Sequence, residues 1–278
     1  MVRLATFTLL AAFAPRIGEA QERPFHYPVP SLDAVRLTKA IAYARVDTTT
    51  LAMDVYRPKS DSGSAPALIL YSLYWPESND KPAREANDQA IRWARIAAAA
   101  GIVAIIPDLR AVPGTGTAQA PSRARDGELD SLLAHLSKHG REYGIDARRI
   151  TLFAASGSVG SALPAVEDPR RSAVRAAVFY YGGAGANVAT FRSDLPILWV
   201  RAGRDSPGMN SAIDRLTSQA MTQNAPLTLI NYAAGHHGFE AVDDTETTRA
   251  IIRQTIDFVK RATAPELQTS LGRGRVER

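Results

Sequence analysis

Apolar runs of strand length alternate with segments of helical period along most of the chain. Strands are predicted at residues 41–46, 51–58, 66–75, 101–110, 149–156, 174–183, 195–203 and 226–235. Helices are predicted over residues 83–100, 126–143, 210–223 and 247–261, with a further short helix after residue 156. Strands with continuous apolar cores separated by helices are typical of a mostly parallel sheet covered on both faces. The pattern therefore predicts an α/β fold around an eight-stranded sheet.

The last predicted helix shows the helical period most clearly. Ile252, Ile256 and Val259 recur at spacings of four and three residues and form one apolar stripe, as in a helix packed on a core. A chain of 278 residues is long enough to bury one large core. The simplest division is one domain over residues 21–265, followed by a flexible tail over residues 266–278 that contains Arg and Gly.

The first twenty residues differ from the rest. Arg3 is followed by the apolar run Leu4–Ala14 and by Gly18-Glu19-Ala20, which is the three-part layout of a secretory signal. An apolar run of about eleven residues is shorter than the roughly 20 needed to cross a bilayer, which favours a signal over an anchor. We therefore expect cleavage after Ala20 and a periplasmic or secreted mature protein.

The amino-acid composition limits which catalytic and metal-binding groups the protein can use. Cysteine is absent, which excludes disulfides, cysteine nucleophiles and cysteine-ligated metal centres. The formal net charge of +5 falls to +4 when Arg3, Arg16 and Glu19 leave with the predicted signal. No basic stripe interleaved with aromatic residues is present, so no nucleic-acid partner is expected. No other apolar run is long enough to span a membrane, so we expect a soluble mature protein.

The stretch RITLFAASGSVGSALP, residues 149–164, passes from an apolar strand directly into small residues. A strand that ends in a tight turn before a helix can expose a serine hydroxyl at the carboxyl edge of a sheet. Two frames compete, centred on Ser156 and Ser158. A turn at Ser158 would place the flexible Gly157 inside the strand, which disfavours that frame. The sequence therefore predicts Ser156 at the turn, while the alternative is that these serines only pack where small side chains fit.

An acid and two histidines follow later strands. Asp205 lies just after the run at 195–203, and His236 and His237 lie just after the run at 226–235. Ligand and catalytic groups gather at the carboxyl ends of parallel strands, so these side chains are expected near Ser156. A helix N-cap is the alternative role for Asp205, because Pro207 follows at an expected first helical turn.

Together these stretches resemble an α/β-hydrolase of the dienelactone hydrolase or small-esterase type. The resemblance is carried by LAMDVYRP, PALILYS, IPDLR, RITLFAAS, AGRD and HHGF, and it covers nearly the whole mature chain. It implies a single-domain α/β-hydrolase fold with helices on both sheet faces. Two features depart from the family pattern: Ala154 and Ser158 replace the glycines of the serine turn, and LYSLYW stands where His-Gly-Gly is usual.

The resemblance implies a Ser-His-Asp triad. Ser156 is expected to attack an acyl carbon, and His237, directly before Gly-Phe, is expected to act as the general base. His236 is the alternative base, because only one of two adjacent side chains can face the serine. Asp205 is expected to hold the second nitrogen of the imidazole.

Further residues are assigned around this triad. The backbone amides of Gly157 and Leu73 are the expected oxyanion donors. Tyr74 and Trp75, with Tyr71, are expected to line an apolar slot for substrate, or else to belong to the core. The segment at residues 182–195 is too short for a lid domain, which favours small or polymer-attached acyl groups.

The predicted function is that of a serine hydrolase acting on carboxylic esters without a cofactor. Adjacent histidines seldom chelate one metal ion together, so no metal is expected. The alternatives are a catalytically inactive binding module of the same fold and a peptidase of the same fold. Asp108 and Arg110, which follow another strand, are interpreted as a structural pair.

Overall fold

The computed structural model describes residues 24–60, 63–71, 83–109, 122–184 and 189–265. Its strands are β1 (Val35–Val46), β2 (Thr49–Pro58), β3 (Ala65–Leu70), β4 (Val103–Pro107), β5 (Ile145–Ala155), β6 (Val174–Tyr180), β7 (Ile197–Ala202) and β8 (Leu227–Tyr232). Its α-helices are α1 (Ala83–Ala86), α2 (Asp88–Ala99), α3 (Ser122–His139), α4 (Gly157–Glu167), α5 (Pro207–Thr222), α6 (Phe239–Val242) and α7 (Glu246–Ala262). Short 3-10 helices lie at Leu32–Ala34 and Gly140–Tyr143.

The strands form one sheet in the order β1-β2-β4-β3-β5-β6-β7-β8. Strand β2 is antiparallel to both of its neighbours, and the strands from β4 to β8 pair in parallel. The predicted eight-stranded, mostly parallel sheet is therefore confirmed. Because β5, β7 and β8 run in the same direction, the residues that follow them meet at one edge of the sheet.

Two apolar layers cover the faces of the sheet. Helices α3, α4 and α5 pack on one face, which contains Trp199, and helices α2, α6 and α7 pack on the other, which contains Trp93. Both tryptophans are fully buried. Burying a large apolar side chain contributes about 1.5–3 kcal/mol, so the two layers supply most of the driving force for this fold.

Several predicted elements have different bounds in the structure: the strand expected at 41–46 already begins at Val35, and the helix expected over 126–143 spans Ser122–His139 and is followed by a 3-10 helix. Two further differences lie next to the site. The helix expected over residues 83–100 is divided, because the side chain of Asn87 accepts a hydrogen bond from the amide of Ala90 and starts helix α2. The strand expected over residues 66–75 ends at Leu70. The segment at 72–82, the predicted signal and the predicted tail lie outside the described residues.

The edge of the sheet that carries Ser156 has no large covering domain among the described residues. Residues 181–184 and 189–196, which link β6 to β7, contain neither helix nor strand. In the part of the chain that the structure describes, no helix combines the length and apolar character needed to cross a membrane.

Candidate active site

Ser156 occupies a sharp turn between β5 and α4. Its backbone angles, φ 53 and ψ −131, lie in a region that residues with a side chain rarely adopt. The turn is held by a hydrogen bond from the Ser156 amide to the carbonyl oxygen of Tyr180, 2.9 Å away. A strained serine between strand and helix is the arrangement known as a nucleophile elbow. The frame centred on Ser156, rather than Ser158, is the one that the structure places at the turn.

The turn forms although Ala154 and Ser158 stand where the family pattern has glycines. The missing space is provided by the end of the neighbouring strand β6, where Gly182 has no side chain. Ala154 is fully buried within β5, so a small side chain is accommodated there. Gly182, just after β6, approaches the turn so closely that a Cβ atom on it would lie 2.3 Å from the Ser156 carbonyl oxygen. No side chain fits at Gly182 unless the backbone moves. Sequence reasoning missed this glycine, which becomes important only when β5 and β6 lie side by side.

Ser156, His237 and Asp205 form one hydrogen-bonded chain. The Oγ of Ser156 lies 2.8 Å from Nε2 of His237, and Nδ1 of His237 lies 2.6 Å from Oδ2 of Asp205. The imidazole is 42% exposed, whereas the Asp205 carboxylate is only 6% exposed. Its second oxygen accepts a hydrogen bond from the Ser206 amide at 2.6 Å. This arrangement holds one imidazole nitrogen toward a carboxylate and directs the other at a serine hydroxyl.

The loops after β7 and β8 pack directly on each other. The Gly203 amide donates to the Tyr232 carbonyl oxygen, and the Arg204 amide donates to the Gly235 carbonyl oxygen, both at 2.8 Å. A Cβ atom on Gly203 would lie 2.3 Å from the Ala233 carbonyl oxygen. These glycines allow the two loops to approach, and the approach brings the acid to the histidine.

The contacts of His236 and Ser206 decide against the alternative general base and against the alternative role of Asp205 as a helix cap. His236 turns away from Ser156, because its Nδ1 lies 2.6 Å from Oδ1 of Asp243 and its amide donates to the other oxygen of that carboxylate. Helix α5 is capped by Ser206, whose side chain accepts from the Met209 amide. Asp205 is therefore not the cap of this helix.

A pocket of about 280 Å³ opens beside Ser156. Its lining combines apolar side chains with two amides and the serine turn, namely Leu70, Tyr71, Asn87, Gln89, Ala90, Trp93, Phe153, Ala155, Ser156, Gly157 and Ser158. Tyr71 both lines the pocket and is buried, so the slot and the core share this side chain. The pocket is at the small end of the usual range for ligand sites.

Of the two expected oxyanion donors, Gly157 and Leu73, only Gly157 lies among the described residues. Gly157 begins helix α4, where the first amides have no acceptor within the helix and are available to an anion. Leu73, Tyr74 and Trp75, which were assigned to the second donor and to substrate contacts, lie outside the described residues.

A buried polar cluster that sequence reasoning missed lies behind His237. The ring of Tyr181 contacts the imidazole of His237, with centroids 4.8 Å apart. Nε2 of Gln89 donates to the Tyr181 hydroxyl at 2.5 Å and to Oε1 of Glu240 at 3.0 Å. The indole of Trp93 donates to the same carboxyl oxygen at 3.2 Å.

Burial controls the ionisation of this cluster. It raises the pKa of the Glu240 carboxyl, although hydrogen bonds from the backbone and from Tyr181, Trp93 and Gln89 act in the opposite direction. Burial, followed by the nearby Glu240 carboxyl, holds the pKa of Tyr181 well above its ordinary value of 10.0. The phenol therefore stays protonated at neutral pH and remains available for hydrogen bonding.

The Asp108 carboxylate is held by hydrogen bonds from other parts of the chain, as expected for a structural residue. Its Oδ2 accepts from Nε of Arg84 at 3.1 Å and from the Ala52 amide at 3.2 Å. Burial raises the pKa of Asp108 even though Arg84 favours its charged form. Arg110, its expected partner, lies outside the described residues.

A pair of histidines with the spacing of metal ligands lies on α3, and sequence reasoning missed it. Nε2 of His135 lies 3.1 Å from the Tyr143 hydroxyl, and Nδ1 of His139 lies 2.9 Å from a carboxyl oxygen of Glu142. Among the described residues, no group of three or more acidic or histidine side chains is arranged to hold a metal ion.

Comparison with known proteins agrees with this architecture. Residues 158–269, which include Asp205 and His237, match the profile of the Dienelactone hydrolase family. No curated protein sequence matches the chain.

Solved structures give the wider comparison. A fungal esterase from Rhizomucor miehei has a TM-score of 0.67 at 12% identity, with 86% of each chain covered. A bacterial heroin esterase has a TM-score of 0.63 at 14% identity, covering 85% of this chain and 87% of the other. Thermogutta terrifontis esterase 2, phosphorylated by paraoxon, has a TM-score of 0.61 at 15% identity, covering 85% and 98%. The fold is that of the α/β-hydrolases. Within that class, residues 158–269 are similar to the dienelactone hydrolase family, which confirms the resemblance found in the sequence.

Proposed function

We propose that this protein is a serine hydrolase that cleaves carboxylic esters through an acyl-enzyme. The observation that carries the proposal is the continuous hydrogen-bonded chain from the strained Ser156 through His237 to the buried Asp205. A structural serine at a strand end has no need of an unfavourable backbone conformation or of a histidine aligned with a buried acid. Strained residues that the surrounding fold holds in place cluster at active sites.

The proposed reaction begins with proton transfer from Ser156 Oγ to Nε2 of His237 as the oxygen attacks the acyl carbon. Asp205 stabilises the imidazolium that forms and keeps the ring oriented. The Gly157 amide donates to the oxyanion of the tetrahedral intermediate. When the intermediate collapses, the imidazolium returns its proton to the leaving alcohol. Water then repeats the sequence on the acyl-enzyme, releasing the carboxylic acid and restoring Ser156.

Small or polymer-attached acyl groups are the proposed substrates. The pocket beside Ser156 measures about 280 Å³, and the described part of the link between β6 and β7 contains no covering helix. A small open pocket favours a short acyl group whose alcohol portion extends into solvent. The esterase names of the structural neighbours support the same reaction class.

Substrate comparison with matched variants tests the reaction class. Purified protein should hydrolyse 4-nitrophenyl acetate much faster than an aminoacyl anilide. Ser156→Ala should lower ester turnover by about 10⁴-fold or more, whereas Ser158→Ala should retain most of it, because only Ser156 Oγ lies beside His237. Faster cleavage of the anilide would favour a peptidase. Absence of any turnover would favour an inactive binding module.

We also propose that the mature domain is exported and begins at Gln21. The layout of Arg3, the apolar run and Gly18-Glu19-Ala20 supports this proposal. Intact-mass measurement of protein recovered outside the cytoplasm should give a chain starting at Gln21. Exported protein that retains Met1 would contradict the proposal.

A further inference from the structure

The side-chain amide of Gln89 is held in one orientation by buried groups. Its Nε2 donates both to the Tyr181 hydroxyl and to Oε1 of Glu240. The same Oε1 also accepts from the Trp93 indole, which identifies it as the accepting oxygen of this carboxyl group, and the Gln89 carbonyl oxygen has no hydrogen to donate to it. The two contacts therefore fix which end of the Gln89 amide faces the protein interior.

The carboxyl oxygen of Glu240 that accepts from Gln89 is itself held in place. Glu240 is 1% exposed, and the Trp93 indole donates to the same oxygen that accepts from Gln89. Buried hydrogen bonds of this kind are costly to break, because each partner loses its only substitute for water. A rotation of the Gln89 amide by half a turn would remove both of its donated hydrogen bonds together.

The other end of the same amide is available to a ligand. Gln89 lines the pocket that contains Ser156. Within the described residues, its side-chain oxygen accepts no hydrogen bond, and the fixed position of Nε2 directs this oxygen away from the buried cluster. The second amide of the pocket differs, because the Asn87 side-chain oxygen already accepts from the Ala90 amide at the start of α2. Gln89 therefore presents an oriented acceptor to a ligand in the pocket beside Ser156.

We propose that Gln89 is a specificity-determining residue whose side-chain oxygen accepts a hydrogen bond from a hydroxyl or N–H group on the part of the substrate that fills this pocket. The inference rests on the proposed function, and it names the substrate class as esters that carry such a donor near the carbonyl. A purely alkyl group would cover this acceptor without offering it a donor, which is the usual basis for strong discrimination by polar groups.

Binding of methyl ketones tests the inference without requiring turnover, because a ketone has the carbonyl group of an ester but no leaving alcohol. We would compare three pairs by ligand-observed NMR titration of the wild-type protein. The two ketones of a pair differ only in one substituent, which is a hydroxyl group in one and a methyl group in the other. The three pairs differ in its position, which is the first, second or third carbon from the carbonyl. In at least one pair the hydroxy ketone should bind about 3- to 10-fold tighter, as expected for one net hydrogen bond.

Three further measurements identify the source of this preference. The fluoro analogue of the preferred ketone, which has no donor, should bind no tighter than the methyl ketone. Gln89→Met, which keeps the length of the side chain, should abolish the preference. Asn87→Ser, which alters the same pocket and can still cap α2, should retain it. Unfolding midpoints of both variants show whether each is folded, and the fluoro comparison on wild-type protein decides the question if Gln89→Met does not fold.

The outcomes separate this inference from the proposed function. Equal binding or no binding within every pair, equal binding of the fluoro and hydroxy ketones, or a preference that survives Gln89→Met in folded protein would overturn the inference. Hydrolysis of 4-nitrophenyl acetate is measured on the same samples. Turnover without a hydroxyl preference rejects the role of Gln89 alone, whereas a hydroxyl preference without turnover rejects the esterase proposal and leaves Gln89 as a ligand contact.

Discussion

At the scale of single residues, the site depends on which partner each side chain has. His236 and His237 are adjacent in the chain, yet one hydrogen-bonds Asp243 and the other lies between Ser156 and Asp205. The difference arises from the loop after β8, where successive side chains point in different directions. Two neighbouring residues of the same type therefore have separate expected roles.

Substitution of the two histidines tests these roles. His237→Ala should lower kcat for ester hydrolysis by about 10⁴-fold or more, because the proposed general base is removed. His236→Ala should retain most of the turnover and mainly loosen the loop held by Asp243. Steady-state kinetics on both variants provide the test, and the assignment fails if His236→Ala is the more damaging change.

The sequence predicted Ser156, Asp205 and His237 as neighbours because each follows an apolar strand. The supporting residues were not predicted, and the reason is their separation along the chain. Gln89 and Glu240 are 151 residues apart and meet only because α2 and α6 pack on the same face of the sheet. Short-range patterns contain no information about such contacts. Hydrophobic periodicity likewise does not distinguish Gly182 from any other glycine at a strand end.

At the scale of elements, the ends of helices and strands determine the geometry of the site. The sequence predicted the strands and most helices, because apolar runs and helical stripes reflect burial directly. It missed the division between α1 and α2, which depends on a single capping side chain at Asn87. Individual hydrogen bonds determine the residue at which a helix begins or ends. The periodic pattern of apolar residues does not show these hydrogen bonds.

The start of α5 separates a structural hydroxyl from a proposed catalytic carboxylate. Ser206→Ala should lower the free energy of unfolding by about 1 kcal/mol through loss of the helix cap, with kcat nearly unchanged. Asp205→Asn should instead lower kcat by about 10⁴-fold with little change in KM, because the asparagine favours the wrong imidazole tautomer. Urea unfolding and kinetics on both variants test this contrast. An Asp205→Asn variant with normal turnover and reduced stability would show that Asp205 has only a structural role.

The junction of β6 with the serine turn should be intolerant of any added side chain. Gly182→Ala would place a Cβ atom 2.3 Å from the Ser156 carbonyl oxygen, so the turn must shift or the protein must unfold. Gly208→Ala is the matched control, because a Cβ atom there meets nothing within 4 Å. We expect a large loss of both turnover and unfolding midpoint for Gly182→Ala and a small effect for Gly208→Ala. Similar behaviour of the two variants would refute this role of Gly182.

At the scale of the whole molecule, the fold is shared with proteins only 12–15% identical to this chain. The burial pattern that builds this fold is visible in the sequence as apolar runs and helical stripes. The fold was therefore predictable, whereas the buried polar cluster around Glu240 was not. We expect the ionisation of that cluster to affect the stability of the fold.

The pH dependence of unfolding tests the state of Glu240. Burial raises its folded pKa above the ordinary value of 4.5, so the folded protein holds the proton more tightly than the unfolded chain. Stability contributed by this proton is present at pH below 4.5 and is lost as pH rises through the folded pKa. Glu240→Gln cannot ionise and should not show that loss. Urea unfolding at about pH 4.5 and pH 7.5 should show the variant gaining stability relative to wild type at the higher pH. A gain at the lower pH would mean that the sign is wrong.

The most direct test of the central claim is covalent labelling by a fluorophosphonate, followed by peptide mass spectrometry. An activated serine attacks phosphorus and displaces fluoride, so the adduct marks the nucleophile itself. We predict a single adduct on Ser156, lost in Ser156→Ala, retained in Ser158→Ala and strongly slowed in His237→Ala. An adduct on Ser158, or no adduct on folded wild-type protein, would contradict the account.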